Sequence, residues 1–142
     1  MSSVDESKAA DYIELNEGYR RYKYVDTVGI ETIGIGFNLE EGFSREESRK
    51  VLQMRMGKFI NELSRAIPAY CSVSSIRKIV LLDMAYNLGI GRLLKFKKMI
   101  SALDRGDFEA AAKELLDSTY ARQVKGRAQR NAHMMATGEW FE

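Results

Sequence analysis

One cysteine, one proline and one histidine are all that 142 residues contain of these types, and each scarcity excludes something. Cys71 has no partner for an intrachain disulfide, and one histidine beside one cysteine leaves no His/Cys cluster to hold a metal. The expectation is a chain made in a reducing cytoplasm. No apolar run approaches the roughly 18 residues of a membrane span, and the opening MSSVDESKAADY has neither the basic start nor the apolar stretch of a secretory signal. Repeats, low-complexity tracts and linkers are also missing, and the only proline is Pro68. The chain therefore reads as one unit over 1–142, mostly helical, and long enough to bury a core without staples.

Charge is nearly balanced, 22 Lys and Arg against 20 Asp and Glu for a net +2. The basic residues gather late, in RQVKGRAQR from Arg122 to Arg130. Such a cluster attracts an anionic polymer, either nucleic acid or a wall carrying carboxylates and phosphates. A solvated helix face accounts for most of these residues, and a nucleic-acid binder would rest on this cluster alone.

What the chain does have is EGYRRYKYVDTVGIETIGIG, from Glu17 to Gly36. Apolar Ala9, Tyr12, Ile13 and Leu15 predict a short amphipathic helix from Glu6 to about Tyr19, with Gly18 as its stop. Glu17 then sits at the negative end of the helix dipole, which together with partial burial is expected to raise its pKa. From Tyr22 to Gly36 the β-formers Tyr22, Tyr24, Ile30, Thr32, Ile33 and Ile35 predict a hairpin, with Asp26, Thr27 and Gly29 in its turn. The returning strand would carry Thr32 past Glu17, and Gly34 and Gly36 would permit close approach. Two carboxyl groups in different environments, one protonated and one ionised, are what acid-catalysed cleavage of a glycosidic bond requires.

Beyond the hairpin, Ser44 and Glu47 stand at capping-box spacing. Val51, Leu52, Met56, Phe59, Ile60, Leu63 and Ile67 then make one apolar stripe up to Pro68, predicting a long connecting helix. SSIRKIVLLDMAYNLG is apolar nearly all round from Ile79 to Tyr86, as an enclosed central helix would be. Helices over Phe96 to Leu103, Asp107 to Leu116 with Asp107 as N-cap, and Gly126 to Met135 are expected to pack around it. His133 and Trp140 read as packing or surface residues.

Glu17-Gly18, Asp26-Thr27 and Thr32-Ile33-Gly34-Ile35-Gly36, in that order, resemble the catalytic stretch of phage T4-type lysozymes. MAYNLGIGRLLKF and the segment from Gly106 to Trp140 are similar to that family's buried helix and closing helices. The resemblance implies an α+β, mostly helical, two-lobe fold. A small hairpin lobe, about 17–50, would be joined by a long helix to a helical lobe, from about 68, which also takes the N-terminal helix. The cleft would lie between the lobes, and their opening would gate a polymeric substrate.

For activity, the resemblance implies an endolysin that hydrolyses the β-1,4 bond between N-acetylmuramic acid and N-acetylglucosamine in peptidoglycan, without metal or organic cofactor. Glu17 would be the general acid, and Asp26 with Thr32 would orient a water for inversion, with the carboxyls about 6.5 to 9.5 Å apart. Gly36, Asn38, Tyr86, Asn87 and Arg127 are the candidate substrate-binding residues, although packing in the core competes for Tyr86 and a structural salt bridge for Arg127 or Arg130. Where many relatives have a histidine after Gly-x-Gly, this chain has Phe37-Asn38, and the loop FNLEEGFSREE looks short, so the sheet is expected to be little more than a hairpin. The implied partners are glycan strands, with no nucleic acid and no membrane anchoring. The implied setting is a monomer held in the host cytoplasm until a separate holin lets it reach the wall in the periplasm. Alternatives are a lytic transglycosylase, which needs the acid but no water-activating aspartate, and a virion-associated or non-catalytic wall-binding relative.

Overall fold

The computed structural model describes residues 4–142. Two compact units are present, Met1–Lys50 and Val51–Glu142, with the boundary falling inside a long helix. The first unit holds α1 (Glu6–Glu17), β1 (Arg20–Val25), β2 (Glu31–Gly34) and β3 (Phe37–Asn38). Its grouping of α1 with the sheet differs from the sequence expectation, which gave that helix to the helical lobe.

Asp5 caps α1 by accepting from the Lys8 amide at 3.0 Å, and Gly18, at φ +76°, ends it with its own N–H on the Glu14 carbonyl. The expected amphipathic burial is not realised. Tyr12, Ile13 and Leu15 are exposed, and no residue of the helix is buried among the described residues.

The sheet is antiparallel in the order β1-β2-β3. It is little more than the hairpin, as expected: Ile35 and Gly36 turn the chain tightly enough for the two residues Phe37 and Asn38 to pair with Ile33 and Thr32. Gly34 and Gly36 both have positive φ, +67° and +65°, which a β-branched residue would resist. Gly34 also makes room for the Phe37 ring, and that ring meets Phe43 edge-on at 5.9 Å. Register sets Tyr24 opposite Thr32 and Thr32 opposite Asn38, so the three share one face of the sheet. A bulge between Arg20 and Tyr24 bends β1.

Helix α2 (Arg45–Ala66) opens with the expected capping box: Ser44 Oγ accepts from the Glu47 amide at 3.1 Å, and Glu47 Oε1 accepts from the Ser44 amide at 3.0 Å. Those bonds hold the Glu47 carboxyl below its ordinary pKa. The apolar stripe is used unevenly. Leu63 in α2 and Ile67 after it are fully buried, whereas Val51 and Ile60 remain exposed.

The second unit continues with a 3-10 turn (Pro68–Cys71), α3 (Ser75–Leu88), α4 (Ile90–Leu93), α5 (Lys97–Asp104), α6 (Phe108–Leu116), α7 (Thr119–Gln123) and α8 (Lys125–Thr137). Asp107 caps α6, as its position before FEAAAKELL predicts. The short helices α4 and α7 carry no periodic stripe and escape sequence reading. Helix α8 packs on α3, α6 and α7, and alanines such as Ala111, Ala112, Ala128 and Ala132 let α6 and α8 approach closely. Contrary to the enclosed helix expected, α3 buries Val80, Leu81, Met84 and Ala85 but leaves Ile79 and Tyr86 exposed.

Arg77 closes the far end of α8. Its Nε donates to the Met135 carbonyl at 2.7 Å and its Nη2 to the Ala136 carbonyl at 3.1 Å, while the guanidinium lies 3.6 Å from the centre of the Phe108 ring. A cation there satisfies carbonyls left over at the helix end and complements the dipole. Burial lowers the Arg77 pKa, although the group stays charged.

Candidate active site

Five of the sequence-predicted residues lie in the first unit. Glu17 is the last residue of α1, and its carboxylate rests against Gly36: a Cβ at that glycine would stand 2.6 Å from Glu17 Oε2 and 3.0 Å from Cδ. What approaches Gly36 is thus the protein's own acid. Glu17 is exposed rather than partly buried as expected.

Asp26 follows β1 and organises the loop to β2. Its Oδ1 accepts from the amides of Val28 at 2.9 Å and Ile30 at 2.8 Å, while the Asp26 N–H donates to the Ile30 carbonyl at 2.8 Å. An aspartate suits the place because its short side chain reaches its own backbone two and four residues on. Oδ2 has no hydrogen bond among the described residues.

Thr32 is buried and donates its hydroxyl proton to the Ile30 carbonyl at 3.0 Å, which leaves Oγ1 as an acceptor. By strand alternation, Asp26 continues the face that carries Tyr24, Thr32 and Asn38. Asn38 turns its Oδ1 to the Glu40 amide at 2.8 Å, keeping its two N–H donors for other partners.

The remaining three lie in the second unit. Tyr86 and Asn87 are exposed near the end of α3, and the Tyr86 ring meets Phe59 of α2 edge-on at 5.9 Å. Arg127 forks onto Asp83, Nε at 2.9 Å from Oδ2 and Nη2 at 2.6 Å from Oδ1, which is the salt bridge anticipated for one of the two arginines. His133 and Trp140 are exposed.

Sequence reading missed Asp83, Asn131 and Tyr120. Asn131, itself buried, donates to Asp83 Oδ2 at 2.9 Å and lies 3.1 Å from the Tyr120 hydroxyl, so α3, α7 and α8 are tied by one polar network. The signal was present: a lone carboxylate inside KIVLLDMAY demands a cationic or amide partner. Burial works to raise the Asp83 pKa, but the Arg127 and Asn131 hydrogen bonds and the Arg127 and Arg130 charges outweigh it and bring it down. Burial pushes the Tyr120 hydroxyl up.

Asp83 therefore contributes stability that is present above its unfolded pKa of about 3.9 and lost as pH falls through its lower folded value. Asp83→Ala should cost about 2 kcal/mol at pH 7, a figure reduced because both partners are about a third exposed. Urea unfolding should show that cost shrinking toward pH 2, and a pH-independent difference would contradict the linkage.

A helix-end glutamate, a loop aspartate and a buried strand threonine in a unit with a three-stranded sheet, followed by a separate helical unit, define a small α+β protein whose candidate site lies on its sheet-bearing unit. The chain belongs to the phage lysozyme family, whose model matches residues 14–133. It is 30% identical to the pre-baseplate central spike protein Gp5 of Enterobacteria phage T4, over 91% of this chain but 28% of that protein's length. It is 25% identical to each of the probable T4-type lysozymes 1 and 2 of Dictyostelium discoideum, over 93% of this chain and 95% of each relative.

Proposed function

We propose that this chain is a muramidase of the endolysin type, cleaving the β-1,4 bond between N-acetylmuramic acid and N-acetylglucosamine in peptidoglycan. The observation that carries the reading is the seating of the Glu17 carboxylate against Gly36, in a unit whose sheet presents Asp26 and Thr32. Family membership over residues 14–133 supports it.

Glu17 protonates the departing glycosidic oxygen as general acid. With its own proton held by the Ile30 carbonyl, Thr32 Oγ1 can only accept from a water, and the free Asp26 Oδ2 can accept the second proton of that same water. Both protons being held, the water's lone pairs are left for the anomeric carbon, which corresponds to inversion. Asp26 also offers negative charge to the oxocarbenium-like transition state. Gly36 and the Asn38 amide, with Tyr86, Asn87 and the Nη1 of Arg127, supply contacts to the glycan. In this reading the chain acts as a monomer and waits in the host cytoplasm for a separate holin to open the way to the wall.

A digest of purified peptidoglycan tests the reaction. Hydrolysis gives reducing-end products that appear first as the α anomer by NMR. Products lighter by one water would identify a lytic transglycosylase instead. The similarity to the spike protein supports a second reading, a wall-degrading part of a virion, and peptides of this chain in purified particles would establish it.

A further inference from the structure

Charge is divided unevenly along the chain. Val51–Glu142 holds fifteen of the 22 Lys and Arg but only nine of the 20 Asp and Glu. Part of that excess converges on a groove of about 540 Å³ formed by α5, the end of α6, α7 and the segment from Leu88 to Phe96. Arg92, Lys95, Lys97 and Lys98 line it, all exposed, and none of them forms a salt bridge among the described residues although Glu114 and Asp117 share the same wall. A second depression of about 330 Å³ shares Lys97 and Lys98 and adds Arg105, so the cationic track extends beyond the groove. None of these cations belongs to the sheet-borne site or to the Asp83 network, although Tyr120 of that network lies in the groove wall.

We propose that this groove is an anion-binding exosite for a phosphate-bearing polymer of the bacterial wall. Four cations without carboxylate partners, side by side and in a concave surface, are matched by repeated phosphodiester charges whose counterions are released on contact. Single-stranded nucleic acid fits less well, because such binders stack bases on open aromatic faces. Here Tyr120 is buried, and Phe96, only half-buried, is set edge-on to it at 6.1 Å. A neutral glycan fits less well too, since it would leave the cations unanswered. The choice of a wall polymer rests on the peptidoglycan reading, whereas anion binding by the groove does not. The exosite would hold the protein on the wall independently of the bond being cut, and its affinity would fall as salt rises.

The probe is long-chain inorganic polyphosphate, titrated calorimetrically into the full chain at low salt. Lys95→Glu/Lys97→Glu/Lys98→Glu should weaken binding at least about tenfold. Lys58→Glu/Lys113→Glu/Lys125→Glu, with the same change in net charge at exposed sites elsewhere in this unit, should weaken it no more than about twofold. All six positions are exposed, and far-UV circular dichroism checks that both variants fold. Should the first not fold, Lys95→Gln/Lys98→Gln takes its place with the same expected direction.

Equal losses in both variants, or no binding by the parent, would overturn the site. Tighter binding of a single-stranded oligonucleotide than of polyphosphate would overturn the wall assignment. In co-sedimentation, the parent should pellet several-fold less with walls stripped of phosphate polymers by acid than with intact ones, and the triple groove variant should show no difference between them. A parent that pellets equally with both would also overturn that assignment. Polyphosphate binding does not depend on hydrolysis, and co-sedimentation is done with Glu17→Gln in both proteins so that the walls stay intact; an inactive enzyme would defeat the muramidase reading and leave anion binding by the groove standing.

Discussion

Glu17→Gln is expected to lower peptidoglycan turnover by about 10³-fold, within the range that positioned general acids contribute, and to leave the fold unchanged. The glutamine amide has the shape of the carboxyl but cannot release a proton to a leaving oxygen. It also preserves the contact with Gly36, where the carboxylate is the neighbour that a Cβ would meet first. Because Glu17 is exposed and forms no salt bridge among the described residues, its removal costs little stability, within about 0.5 kcal/mol. Turbidity clearing of purified walls, paired with thermal unfolding, gives both numbers. A variant that clears walls at the parent's rate removes Glu17 from the acid's role.

Gly36→Ala is the second substitution with a large expected effect, and it tests the support rather than the chemistry. A methyl group there would lie 2.6 Å from Glu17 Oε2, so the carboxylate must move by more than half an ångström. A misplacement of that order at a reacting group costs about 10²-fold in rate. The φ of +65° adds backbone strain of about 1 kcal/mol, or roughly 3 °C in Tm. Since Glu17 is the flexible party, it yields, and activity should suffer more than stability.

Gly29→Ala separates the two effects. Gly29 has φ +87° but nothing within 4 Å of the Cβ position, so it should show the same loss of stability with nearly full activity. Equal activity in the two variants would mean that the Glu17–Gly36 contact does not set the position of the acid.

Much of the local structure was legible because it depends on neighbours in the chain. The Ser44–Glu47 box, Asp107 at the start of α6 and the Gly18 stop involve partners within four residues, which is the distance over which sequence patterns carry information. Turn chemistry placed Asp26 between two strands for the same reason. Burial was less legible. The stripes on α1 and on the first half of α2 marked helices correctly, yet Leu15 and Val51 stay exposed, since a periodic pattern shows which face is apolar and not whether anything covers it. Strand β3, with two residues, carries too little pattern to detect and exists through its pairing with β2.

From the order of residues alone came a mostly helical α+β chain without disulfides, a helix-end glutamate, a loop aspartate, a strand threonine and a family. Those follow from local backbone preference and from chemistry that each side chain carries wherever it is. Only the tertiary structure decided that Glu17 rests on Gly36, 19 positions along the chain. The same holds for Asp83, which answers Arg127 and Asn131 more than 40 residues later, and for Arg77, which closes α8 from the start of α3. Such pairings depend on how packed helices and strands bring distant segments together, and no short-range pattern encodes that distance.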